Sequence, residues 1–192
     1  MEKGRLEAFT DGVIAIVITI MVLEIKVPAG DDVTALLALT PVFLAYVLSF
    51  VNVGIFWNNH HHMLHATRHV DGRVLWANLF LLFWISLIPF VIRWMDEAHF
   101  AALPAAAYGV VLAGAAIGYT LLERAIVACN GGEKSALAAA VGTDMKGWAS
   151  LLLYVSTVPL AFVHPWIAIG IYILVALIWF IPDRRIETTV KT

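Results

Sequence analysis

The sequence predicts an all-α membrane protein with six transmembrane helices, and three observations predict it. Hydrophobic residues fill 61% of the 192 positions and charged residues only 14%, too little polar surface to cover a soluble globule. The apolar residues are gathered into long runs separated by charges, and in lipid a run of this kind satisfies its own backbone only as a helix. The last run, Gly147 to Pro182, is interrupted only by His164-Pro165. As one helix of 36 residues it would be ~54 Å long against a hydrocarbon core of ~30 Å, so it folds back at that dipeptide.

The spans are expected at about 8–27, 34–59, 74–94, 100–123, 145–163 and 165–182, and the whole chain, 1–192, reads as a single six-helix transmembrane domain. The first apolar run, Gly12 to Leu23, is bracketed by Asp11 and Glu24. Thirteen helical steps, about 20 Å, separate the two carboxylates, which is short of the ~30 Å core. A charged side chain near the bilayer centre costs on the order of 3 kcal/mol. The first helix is therefore expected to face protein or water at both ends. Asp11 is expected in its first turn, where Thr10 caps and the helix dipole favours negative charge. Because Glu2, Glu7 and Asp11 intrude and no small-x-small cleavage site is evident, the segment does not read as a signal peptide.

The second run, Val33 to Trp57, ends in FWNNHHHML. The third, Val74 to Ile92, carries Pro89 and is followed by Arg93, Asp96 and Glu97, read as a surface ion pair beside a proline kink. In the fourth, Phe100 to Leu122, the residues Ala113, Gly114, Ala115 and Gly118 make a close-packing face. Asn130 to Thr143 reads as a connector. The single Cys129 is expected in a small-residue loop and can form no intrachain disulfide. With six spans both termini share a side, which carries Lys3, Arg5, Arg68, Arg73, Arg124, Lys134, Lys146, Arg184, Arg185 and Lys191, against Lys26 and Arg93 opposite. The bias places both termini in the cytoplasm of a multi-pass cell (inner) membrane protein. Trp57, Trp76, Trp94, Trp148, Trp166 and Trp179 mark the interfaces.

Several function classes fit poorly. No Asp, Glu, Lys or Arg lies near the middle of a span and the two halves show no repeat, unlike a secondary transporter. Ser49, Ser86, Ser150 and Ser156 lie in spans without a mid-depth histidine to activate them, so the chain does not read as an enzyme. His60, His61, His62, His65 and His69 include pairs at i, i+4 and i, i+7, but Asp71 is the nearby acid and no cysteine joins them. An interfacial cluster is favoured over a metal site, with pH sensing as an alternative, and no resident cofactor is expected.

The first helix offers one patterned face. Ile16, Ile20 and Leu23 recur at i, i+4 and i+7, with Thr19 beside them and Gly12 one turn earlier. One reading is ordinary helix packing, with Thr19 bonding back to a carbonyl one turn earlier. The other is a pore lined by several copies of this helix, where isoleucine rings close by dewetting and a threonine ring supplies oxygens. Periodicity alone does not separate them.

The residues RLEAFTDGVIAIVITIMVLEI, with Arg5 and then Phe9-Thr10-Asp11, resemble the Arg-x-x-x-Phe-Ser-Asp signature opening the first helix of the lysosomal-type potassium channels (transmembrane protein 175) and their bacterial homologues. The histidine-rich end of the second helix is similar as well. The resemblance implies a homotetramer in which the first helix of each subunit lines a central pore. It implies Ile16 as the constriction, followed by Thr19, Ile20 and Leu23, and passive conduction that prefers K+ over other monovalent cations without a backbone-carbonyl filter. It further implies a clamp on the pore helix made by Arg5, Phe9, Thr10, Asp11, Trp57 and His61, in which the signature residues bond to a tryptophan and a histidine of the second helix. Asp11, expected to be buried at the bundle entrance, would need a donor such as His61 or Arg5, since an unpaired buried carboxylate is costly. Thr10 departs from the signature serine but keeps the hydroxyl. Glu24 is expected near the outer mouth, focusing cations or pairing with Lys26 or Arg93. The expected partners are other copies of the chain, membrane lipid and K+, with no nucleic acid. A proton channel and a non-conducting structural membrane protein are the alternatives.

Overall fold

In a computed structural model, residues 3–132, 138 and 144–180 are described, and among them every regular element is a helix. The chain forms α1 (Lys3–Leu23), a short α2 (Val33–Leu37), α3 (Thr40–His65), α4 (Gly72–Ser86), α5 (Ile88–Glu97), α6 (Ala102–Cys129), α7 (Met145–Val163) and α8 (Pro165–Phe180). Five helical segments are long and apolar enough to cross a membrane: α1, α3, α4 and α5 taken together, α6, and α7. The α8 helix is apolar but shorter, at 16 residues. The last two residues of the expected sixth span, and most of the expected connector 130–143, lie outside the described residues.

Local chemistry sets the breaks. Pro89 has no N–H to offer the carbonyl of Ile85, so the third span divides at Leu87 into α4 and α5, with the proline in the first turn of α5. At His164 the backbone is extended, and Pro165 opens α8, which makes this dipeptide the turn between two antiparallel helices. Asp71 caps α4 by accepting from the backbone N–H groups of Arg73 and Val74, and Asp144 caps α7 through Gly147.

The observed boundaries correct the expected ones in several places: the first span ends at Leu23, and the second is broken at residues 38–39 between α2 and α3. The α1 helix begins at Lys3, because nothing in residues 3–9 interrupts a helix. Thr10 and Asp11 therefore sit inside it, and neither belongs to a capping turn. The α3 helix runs on through the histidines to His65. Cys129 is the last residue of α6 and not part of a loop.

The core is organised around α6, which packs against α4, α5, α7 and α8. Its small residues make this possible. A Cβ on Gly118 would come within 2.8 Å of the Leu81 Cα of α4, and one on Gly114 would enter the Trp84 ring. Helices in lipid associate through such close backbone approach, since no water is expelled between them. On the far side of α6, Tyr172 of α8 donates to the Ala105 carbonyl at 2.8 Å and contacts Thr157 Oγ1 of α7 at 2.9 Å. The α1 helix lies at the edge of this core, touching α3, α4 and α5.

Candidate functional site

The α1 helix has two faces with different fates. Leu6, Thr10, Ile14, Val17 and Met21, spaced by three or four residues, are buried against the helix's own subunit. Ile16 is 61% exposed and Leu23 75%, and Gly12, Ala15, Thr19 and Ile20 are exposed or half-exposed with them. The four residues singled out in the sequence thus share a face of α1 that the subunit leaves largely uncovered. The Thr19 hydroxyl donates to the Ala15 carbonyl at 2.8 Å. Its hydrogen is occupied along the helix, and its lone pairs remain free to accept.

Two layers of polar contacts seat α1. In the buried layer Asn78 of α4 bridges two helices: its amide donates to Thr10 Oγ1 at 2.9 Å, and its Oδ1 lies 2.8 Å from His60 Nε2 of α3. All three side chains are at most 1% exposed. In the exposed layer Trp57 Nε1 donates to Asp11 Oδ1 at 2.8 Å, His61 Nδ1 lies 3.5 Å from Glu7 Oε1, and Lys3 Nζ donates to the His65 carbonyl at 3.1 Å. Trp57 and His61 stack with ring centroids 5.9 Å apart.

This arrangement corrects both the expected burial of Asp11, which is exposed, and its expected donor. Its partner is the Trp57 indole and not His61 or Arg5, because Asp11 lies one step outside the buried stripe and opposite Trp57. Arg5 and Phe9 are exposed, and Arg5 pairs with none of the described residues. Sequence reasoning missed Asn78, His60 and Glu7. Asn78 carried a usable signal as the one amide within the third apolar run. His60 carried another, since His60, Met63, Leu64 and Thr67 recur at i, i+3, i+4 and i+7 and are all buried.

At the opposite end of α1, Glu24 pairs with Arg93 at 3.1 Å, and Arg93 also reaches Glu97 at 3.2 Å. Lys26 lies 3.9 Å from both Asp96 and Glu97. Each pair has at least one exposed partner, so its individual contribution to stability is small. The histidines do not share one site: His60 turns toward α4, His61 faces α1 while keeping ring contact with His62 and His65, and the backbone N–H of His69 donates to Asn130 Oδ1. Among the described residues no three His, Cys, Asp or Glu side chains converge as metal ligands.

A family profile described as endosomal/lysosomal potassium channel TMEM175 matches residues 5–89, the segment that holds nearly all of the α1 seat. A potassium channel of Chryseobacterium sp. (strain P1-3) is 53% identical over 100% of this chain and 99% of its own length. The chain belongs to the TMEM175 family. A second relative, a potassium channel of Chamaesiphon minutus, is 32% identical over 92% of each chain. The crystal structure of a lysosomal potassium-selective channel TMEM175 homolog from that organism superimposes with a TM-score of 0.79 at 28% identity, covering 95% of this chain and 98% of the other. The human endosomal/lysosomal proton channel TMEM175 is 34% identical over 54% of this chain, which matches 23% of the human protein. As a TMEM175 member the chain is a membrane ion channel and not an enzyme.

Proposed function

We propose that the chain is a potassium-preferring cation channel of the cell membrane, both termini cytoplasmic, assembling as a homotetramer around four copies of α1. The observation that carries this reading is the uncovered α1 face of Ile16, Thr19, Ile20 and Leu23 in a family of ion channels. Four such faces meeting at an axis would enclose a path along which each side chain forms a ring.

The chemistry of those rings then follows from the side chains. The Ile16 ring is the constriction, because branched apolar side chains in a narrow pore expel water and raise the barrier to an ion. At Thr19 the hydrogen is committed to Ala15, so the ring offers acceptor oxygens to a partly dehydrated cation. Selection rests on this ring and on pore width, without a carbonyl filter, which supports a modest preference for K+ over other monovalent cations. Ile20 and Leu23 continue the path. The contacts of Thr10 and Asp11, together with the Trp57–His61 stack, hold α1 in register while lipid surrounds the outer helices.

The test is ion flux from purified protein in liposomes under K+, Na+ and proton gradients. Ile16→Ala is expected to raise cation flux severalfold, and Thr19→Ala to reduce the preference for K+ over Na+. Well-folded protein that passes no cation overturns the reading. The proton channel named among mammalian relatives favours a second reading, in which a proton gradient alone drives flux that Thr19→Ala leaves intact.

A further inference from the structure

A groove of about 500 Å³ runs between α3 and α8, away from the uncovered face of α1. Its floor includes Ser49 of α3, Met95 of α5, Tyr108 of α6 and Tyr172 and Ala176 of α8, all buried. Leu44 and Val47 of α3 and Ile173, Leu177 and Phe180 of α8 stand exposed along its rims. At the end where α3 and α8 begin, Trp166 stacks on Phe100 with ring centroids 5.7 Å apart, the kind of aromatic that sits at a membrane interface.

The lining offers nothing to a polar ligand. None of the described residues in it is charged. The Ser49 and Tyr108 hydroxyls lie 2.8 Å apart, Tyr172 donates to the Ala105 carbonyl at 2.8 Å, and Thr40 Oγ1 donates to the Leu37 carbonyl at 2.7 Å. With these hydroxyls already partnered, a ligand meets aliphatic and aromatic surface alone. The α3 wall from Thr40 to Val51 is eleven helical steps, ~16 Å. That matches the ~15 Å which one leaflet contributes to a ~30 Å hydrocarbon core.

Two occupants share this chemistry, a lipid chain and an apolar helix of a second copy, and the rims separate them. Helices in lipid join through small residues that let backbones approach, as Gly114 and Gly118 of α6 do against α4. The rims here are leucine, isoleucine, valine and phenylalanine, which hold another backbone away while their rotatable ends close over a chain. We propose that the α3–α8 groove binds one acyl chain of a membrane phospholipid, drawn from the leaflet on the Trp166 side, with the headgroup beside the Trp166–Phe100 stack. The bound chain braces α8 against α3, the helix that carries Trp57 and His60 of the α1 seat. This site is independent of which ion passes along α1.

The experiment is native mass spectrometry and thermal unfolding of the full chain, washed free of lipid in detergent and then given palmitoyl-oleoyl phosphatidylglycerol. The native chain is expected to retain one phospholipid per subunit and to melt a few degrees higher with it than without. Palmitoyl lysophosphatidylglycerol, which has a single chain, is expected to act as well as the two-chain lipid. Ala176→Phe fills the floor, and Leu177→Asn places an amide on the exposed rim without touching the core. Each is expected to lose both the retained lipid and the shift. Either variant, folded, that keeps the native retention and shift overturns the proposal, as does a native chain that neither retains phospholipid nor responds to it. In phosphatidylglycerol vesicles, a photo-reactive benzoylphenylalanine in place of Leu177 is expected to give a lipid adduct. A cross-link from that position to a second copy of the chain overturns the proposal and makes the groove a seam between subunits.

Discussion

Thr10 and His60 sit on different helices and are joined through one amide, Asn78, which donates to the first at 2.9 Å and lies 2.8 Å from the second. With all three side chains buried, none has water to fall back on. Replacing Asn78 with Leu keeps the volume but strands the Thr10 hydroxyl and the His60 ring, each at about 1–3 kcal/mol. We expect Asn78→Leu to lower the melting midpoint by on the order of 10 °C. Adding Thr10→Val should recover part of the loss, because one stranded group is then removed with its partner. Thermal unfolding of the two variants checks this.

The Trp57–Asp11 hydrogen bond is more exposed and so less consequential. Trp57→Phe keeps a ring for His61 to stack on while removing the donor to the carboxylate. Water replaces that donor readily at an exposed site, so the loss is expected near ~1 kcal/mol, or roughly 2–4 °C in melting midpoint. A drop as large as that for Asn78→Leu would show that Trp57, and not the buried amide, anchors α1.

The contrast between these layers explains which parts of the site were legible in the sequence. The spans followed from length and composition, and the His164-Pro165 turn from simple excess of length. The α1 face followed from periodicity, although its uncovered state did not, since a packed stripe and a lining stripe have the same spacing. Asp11 was misassigned because α1 starts earlier than its apolar run suggests, which made a mid-helix carboxylate look like a capping one. The choice between His60 and His61 turned on a difference of about 100° in helical direction, and nothing in a run of three histidines reveals that direction until the neighbouring apolar positions are counted.

Glycine substitutions separate packing from propensity. At Gly118 an added methyl would meet the Leu81 backbone at 2.8 Å, and backbone has nowhere to swing. Gly118→Ala is expected to cost about 1–3 kcal/mol through overpacking at the α4–α6 contact. At Gly170, in α8, an added methyl would have nothing within 4 Å, so Gly170→Ala should stabilise by roughly 0.5–1 kcal/mol through helix propensity alone. Opposite shifts in melting midpoint are the expected outcome. Equal shifts would argue against close backbone contact between α4 and α6.

Asp71, in the turn before α4, gives the acid limb of stability. The Val74 backbone N–H, foremost, and the Arg73 side chain hold its carboxyl below the usual carboxylate range. A carboxyl bound more weakly by protons in the folded state than in the unfolded one contributes stability above its unfolded titration near about pH 4, and that contribution fades as pH falls through the folded value. Asp71→Asn keeps an oxygen for the cap but no charge to lose. Its melting midpoint should therefore lie below the native one near pH 7, with the gap closing as pH falls toward about 3. A gap that stayed constant over that range would mean that the cap acts through the oxygen alone, with the carboxylate charge contributing nothing to the start of α4.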